Sequence, residues 1–126
     1  MSTTVLIIDD DPVQRRLAEA MVRRLGFQAQ IAENGHDGLN LLRSGESVDV
    51  VLLDLVMPGG MDGLSLAREA HRRHPTLKIL LTTGYAEASL ERTGLARPEF
   101  DILNKPYRRA ELIRRVRAAI DAPNRS

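Results

Sequence analysis

The stretch IIDDDP at residues 7–12 sets Asp9, Asp10 and Asp11 directly behind an apolar run. Adjacent like charges repel and resist desolvation, so acids held together at the end of a buried segment suggest a positive partner such as a metal ion. The competing use of such acids is to cap the helix that follows. Asp11 adjoins Pro12 and reads as that cap rather than as a third ligand, and Asp62 in GGMDG reads as a turn or cap acid. Three more groups stand at or just after the ends of apolar runs: Asp54 in VVLLDL, Thr83 in ILLTT and Lys105 in ILNKP. In isolation Asp54 would be a solvated strand end and Lys105 a surface lysine; their coincidence with the acid pair is what points to a site.

Positioning them falls to alternating strand-like and helix-like segments. TVLII (4–8) is short, β-branched and apolar throughout, as a strand covered on both faces should be. From Pro12 to Leu25, Val13, Leu17, Met21 and Leu25 recur every four positions, with Pro12 suited to a first helical turn and Gly26 to a stop. FQAQIA (27–32) reads as a half-exposed strand and NGHDGLNLLRSG (34–45) as a short helix. VDVVLLDL (48–55) is a buried strand closed by the breaker-rich MPGGMDG (57–63), followed by an amphipathic helix over 62–74 with Leu64, Leu66, Ala67 and Ala70 available for one side. LKILLTT (77–83) is a fourth strand, a helix is expected over about 86–95, and FDILN (100–104) is a fifth strand. The last helix, 108–122, turns Leu112, Ile113, Val116, Ala119 and Ile120 inward.

Five strands alternating with five helices imply a doubly wound α/β fold, because parallel neighbours need right-handed crossovers. Such sheets take ligands beyond the carboxyl ends of their strands. Asp9, Asp10, Asp54, Thr83 and Lys105 all fall at that one edge.

Composition narrows the setting. The 126 residues suffice for one domain, with a core over about 4–122 and a short tail at 123–126. A formal net charge of +1, from 18 basic and 17 acidic residues, offers no global field for nucleic acid or an acidic membrane. The chain has no Cys, which excludes disulfides and thiolate metal sites. The opening MSTTVLIIDD reaches acids too soon for a signal peptide or a membrane span, so cytoplasmic residence is the default expectation. His36, His71 and His74 stand in polar surroundings without an acidic ligand pattern and read as surface residues.

The ordered set VLIIDDDP, LLDLVMPGGMDG, ILLTTGYA and NKPY resembles the response-regulator receiver domain, the phosphoacceptor module of two-component signalling, over essentially the whole chain. The resemblance implies a flavodoxin-like five-stranded parallel sheet in the order 2-1-3-4-5 with five helices. It implies Asp54 as the phosphorylated aspartate, with Asp9 and Asp10 helping to hold Mg²⁺ and the main-chain carbonyl of Val56 completing the protein's metal ligands. Thr83 matches the hydroxyl, and Lys105 the ammonium, that contact the phosphoryl group; Pro106 would follow a cis peptide bond. The chemistry asks for these residue types on its own account. A carboxylate is a usable nucleophile toward a phosphoryl group, and phosphoryl transfer is mostly positioning and charge neutralisation. Such a module catalyses only its own phosphorylation and dephosphorylation.

Several positions depart from the commonest form. MPGGMDG carries one extra Gly, Val56 and Tyr85 occupy positions that tune phosphoryl lifetime and predict slow hydrolysis, and Ile102 stands where many members have a switching aromatic. Tyr85 and Phe100 are the residues available to take over part of that role. The implied partners are a histidine kinase or a histidine phosphotransfer protein, met through an apolar edge of the first helix around Ala18 and Val22, with the downstream protein open. The chain is expected as a monomer or as a phosphorylation-dependent dimer. Arg108, Arg109, Arg114, Arg115 and Arg117 read as a solvated or acid-binding face rather than a nucleic-acid reader. An unphosphorylated pseudo-receiver and a receiver segment of a larger hybrid kinase stay open as alternatives. A dehalogenase-type phosphatase would want an Asp where Val56 stands, and a flavodoxin a phosphate loop rather than three acids.

Overall fold

The structure is a computed structural model that describes residues 3–45, 47–55, 63–83, 100–105 and 107–121. Its elements run β1 (Thr4–Ile8), α1 (Pro12–Arg24), β2 (Gln28–Ala32), α2 (Gly35–Arg43), β3 (Val50–Asp54), α3 (Gly63–Arg73), β4 (Lys78–Thr83), β5 (Asp101–Asn104) and α4 (Arg109–Asp121). The five strands form one parallel sheet in the order β2-β1-β3-β4-β5, the flavodoxin-like topology implied above. The helix expected over 86–95, the 56–62 loop with Val56 and Asp62, Tyr85, Pro106 and the tail lie outside the described residues.

Each face of the sheet buries one alternate set of strand side chains, because successive residues of a strand point to opposite sides. On one side Leu6, Ile8, Val51, Leu53 and Leu81 pack with Leu42 of α2 and with Leu66, Ala67 and Ala70 of α3. On the other, Val5, Ile7, Val50, Leu52 and Leu80 pack with Ala18 and Val22 of α1 and with Leu112 and Val116 of α4. The uninterrupted apolar runs of β1 and β3 are the signature of strands covered twice. β2 is the exception the sequence led one to expect: an edge strand whose Gln28 and Ile31 face solvent.

The inner face of α1 corrects one expectation. Ala18 and Val22 are 3% and 0% exposed, so they form the seam against the sheet, not a docking edge; Val13 and Leu17 are 64% and 53% exposed. A strict four-residue spacing advances about 40° around the helix at each step, so the row from Val13 to Leu25 winds across the helix instead of lining the sheet. The smaller pair at 18 and 22 sits under it. Gly26, with φ +89°, lets the chain leave the helix in a conformation that other residues rarely adopt.

The three histidines carry no metal-ligand grouping among the described residues. His36 is exposed, whereas His71 is half-buried and packs edge-to-face on Phe100 with ring centroids 6.0 Å apart. Phe100 precedes β5 and so lies toward the amino ends of the strands, away from the acids.

Candidate phosphoacceptor site

Strand register brings the acids together. Ile8 pairs with Leu53, Asp54 with Thr82 and Thr83 with Asn104, so Asp9, Asp54, Thr83 and Lys105 emerge side by side at the carboxyl edge. Leu55 N–H donates to the Thr82 carbonyl at 2.8 Å, and Lys105 N–H to the Thr83 carbonyl at 2.7 Å. Those bonds continue the ladder just past the strand ends, fixing the main chain from which the site's side chains project.

Asp9 is 5% exposed and Thr83 fully buried. Carboxylate oxygens of Asp9, Asp10 and Asp54 all lie within 4.8 Å of one another. Such crowding of charge at low exposure needs a cation. Lys105 supplies one: its Nζ stands 3.1 Å from Asp9 Oδ2 and 3.5 Å from Asp54 Oδ2, with the lysine side chain only 17% exposed. One ammonium against three carboxylates leaves the cluster negative. Hard carboxylate oxygens converging to this distance, with Asp10 open to solvent, suit Mg²⁺, which takes a few carboxylates and keeps waters or phosphate oxygens for its remaining positions.

Asp11 behaves as the cap. Its backbone is extended and its Oδ1 accepts from the N–H groups of Val13 and Gln14 at 2.9 and 3.3 Å, satisfying donors that open the helix. Its carboxylate is thereby turned to α1 and not to the cluster.

Two residues near the site escaped the sequence reading. Arg15 Nη1 donates to the Asp9 main-chain carbonyl at 2.9 Å, a contact visible only once the strand-to-helix turn folds the helix back over the strand end. Tyr107 packs against the core on the α1 and α4 side. Burial, then the charges of Asp9 and Asp54, push its phenol up to about 12 from an ordinary 10.0. Both effects disfavour phenolate, so the neutral phenol is the form the fold stabilises. A folded value above the unfolded one means that this contribution is complete below about pH 10 and is lost as pH rises through about 12. In a Tyr85→Phe chain, absorbance titration of the remaining phenol should give a midpoint clearly above 10; a midpoint at 10 would show Tyr107 solvated and remote from the acids.

Comparison with known proteins agrees with this geometry. The response regulator receiver domain family matches residues 5–117. The chain is 34% identical over 120 residues to the two-component response regulator ARR22 of Arabidopsis thaliana, covering 94% of this chain and 84% of that protein. It is 32% identical over 121 residues to the sensor kinase CckA of Brucella abortus, covering 95% of this chain but spanning only 13% of that protein's length. Against the transcriptional regulator NtrC of Salmonella typhimurium it is 34% identical, covering 92% of this chain and 24% of that protein. A receiver protein from Sinorhizobium medicae superposes with a TM-score of 0.83 at 28% identity, covering 96% of each chain. A strand order of 2-1-3-4-5, an acid cluster bound by a lysine at its carboxyl edge and a family match over nearly the whole chain together make this protein a member of the response regulator receiver domain family.

Proposed function

We propose that the chain accepts a phosphoryl group on Asp54 from a histidine kinase or a histidine phosphotransfer protein, in a Mg²⁺-dependent reaction, and signals through altered protein contacts. The observation that carries this reading is the convergence of Asp9, Asp10 and Asp54 within 4.8 Å beneath the Lys105 ammonium. An Asp54 oxygen attacks phosphorus, the bond to the donor's leaving group breaks with its electron pair going to that group, and an acyl phosphate remains. Asp9, Asp10, Asp54 and the Val56 carbonyl would hold Mg²⁺. When bound, that ion neutralises phosphoryl charge that would otherwise meet three carboxylates. Lys105, already at the mouth of the cluster, pairs with a phosphoryl oxygen from one side, and the Thr83 hydroxyl donates to another. The chain itself then governs loss of the group, with Val56 and Tyr85 impeding attack by water.

The partner surface is α1. Val13 and Leu17, one turn apart and exposed near the site, replace Ala18 and Val22 as the apolar contacts for a helical kinase or phosphotransfer surface. The exposed arginines 108, 109, 114 and 117 at and along α4 suit an acidic protein rather than nucleic acid. No described helix is long and apolar enough to cross a membrane. The match to a segment of a sensor kinase supports a second reading, in which the same chemistry serves as the receiver part of a larger hybrid kinase.

Incubation with acetyl phosphate and Mg²⁺ should give a single phosphoryl adduct by intact mass, reduced to background by EDTA. An adduct indifferent to EDTA would remove the metal from the account, and none at all in folded protein would favour the pseudo-receiver.

A further inference from the structure

Asp9 is held at every polar atom. Its N–H donates to the Ala32 carbonyl at 3.2 Å, its Oδ1 accepts from the Asp11 N–H at 3.0 Å, its Oδ2 pairs with Lys105 at 3.1 Å, and its carbonyl accepts from Arg15 Nη1 at 2.9 Å. The Arg15 bond closes a circuit, for the Arg15 N–H also donates to the Asp11 carbonyl at 2.9 Å. Arg15 belongs to the opening turns of α1, where a cation opposes the helix dipole, so its placement is not explained by helix stability. The exposed Arg16 beside it has the same charge at the same helix end.

We infer that Arg15 is a positioning residue that aims the Asp10 carboxylate into the metal-binding cluster by fixing the Asp9–Asp10 peptide plane. The peptide unit is rigid, so holding the Asp9 carbonyl in one direction sets the plane from which the Asp10 Cα and side chain depart. Asp10 is the open member of the acid cluster and has most freedom to lose. Geometry and charge predict opposite signs. A positioning role makes loss of Arg15 weaken Mg²⁺ binding, whereas simple repulsion between Arg15 and a cation makes its loss strengthen it.

The inference rests on the proposed Mg²⁺ site, and titration calorimetry of unphosphorylated full chain with Mg²⁺ alone tests the two separately. Arg15→Met should bind Mg²⁺ roughly ten-fold more weakly than wild type, the scale of losing a partner that orients a metal ligand. Arg15→Lys should fall between them, since lysine keeps a donor but not the fixed fork. Arg16→Met removes the same charge and should bind as wild type does. Metal-free melting temperatures of the three variants, expected close to wild type, exclude misfolding as the cause. Wild type binding Mg²⁺ with Arg15→Met equal or tighter overturns the positioning role alone, while wild type failing to bind overturns both it and the site.

Discussion

Asp54→Asn is expected to abolish phosphoryl incorporation from acetyl phosphate while leaving the fold intact. The substitution keeps shape and removes the only oxygen nucleophile proposed for the reaction, since an amide cannot form the acyl phosphate. Metal-free stability should rise, for reasons visible in the site. Asp54 gains from Lys105 at 3.5 Å and is opposed by Asp9 and Asp10 within 4.8 Å. At the effective dielectric suited to such sites each of these charge pairs is worth on the order of 4 kcal/mol, so relief of two repulsions outweighs loss of one attraction. The melting temperature without metal should therefore rise by about 5 °C or more, the scale of a gain of about 1 kcal/mol for a domain of this size. Incorporation surviving at a tenth of wild type or more would place the acceptor elsewhere.

The second large effect is structural and falls on Gly63. A Cβ there would stand 2.5 Å from Leu55 Cα, 2.6 Å from the Leu55 carbonyl oxygen and 2.7 Å from that of Asp54. All three are main-chain atoms and cannot swing aside as a side chain could. Gly63 N–H also donates to the Leu55 carbonyl at 3.0 Å, which pins the start of α3 to the end of β3. Gly63→Ala must therefore break that bond or push the acceptor's own backbone out of the sheet edge. Overpacking against backbone should cost about 3 kcal/mol, lowering the melting temperature by roughly 10 °C or more, and the remaining folded protein should phosphorylate more slowly. Melting within about 2 °C of wild type would show that α3 can withdraw freely and that its docking does not hold Asp54.

What the sequence disclosed and what it hid follow from the range of the interactions. Strands β1, β3 and β4 were legible because a strand covered on both faces must be apolar throughout, and Asp54, Thr83 and Lys105 were placed simply by counting to the strand ends. The Asp11 cap was legible because a cap acts within three residues. The inner face of α1 was not, because spacing shows which residues share a side but not which side meets the sheet, and two small residues outcompeted a row of larger ones. Arg15 and Tyr107 were missed for a related reason. Nothing in the chain around Arg15 marks it as facing Asp9, and Tyr107, although it closes the NKPY stretch two residues beyond Lys105, has no role there until helix and strand close onto one edge. Gly63 stood within a breaker-rich segment that signalled a turn, and its real constraint, contact with another element's backbone, leaves no local trace.

The most direct test of the account is to locate the phosphoryl group itself. Borohydride reduces an aspartyl phosphate to homoserine, so wild-type protein treated with acetyl phosphate and Mg²⁺, then with borohydride, can be digested and sequenced by fragmentation. The account predicts homoserine at position 54 and unmodified aspartate at positions 9, 10 and 11. Homoserine at Asp9 or Asp10, or a phosphoryl group that resists borohydride on a hydroxyl residue, would contradict it.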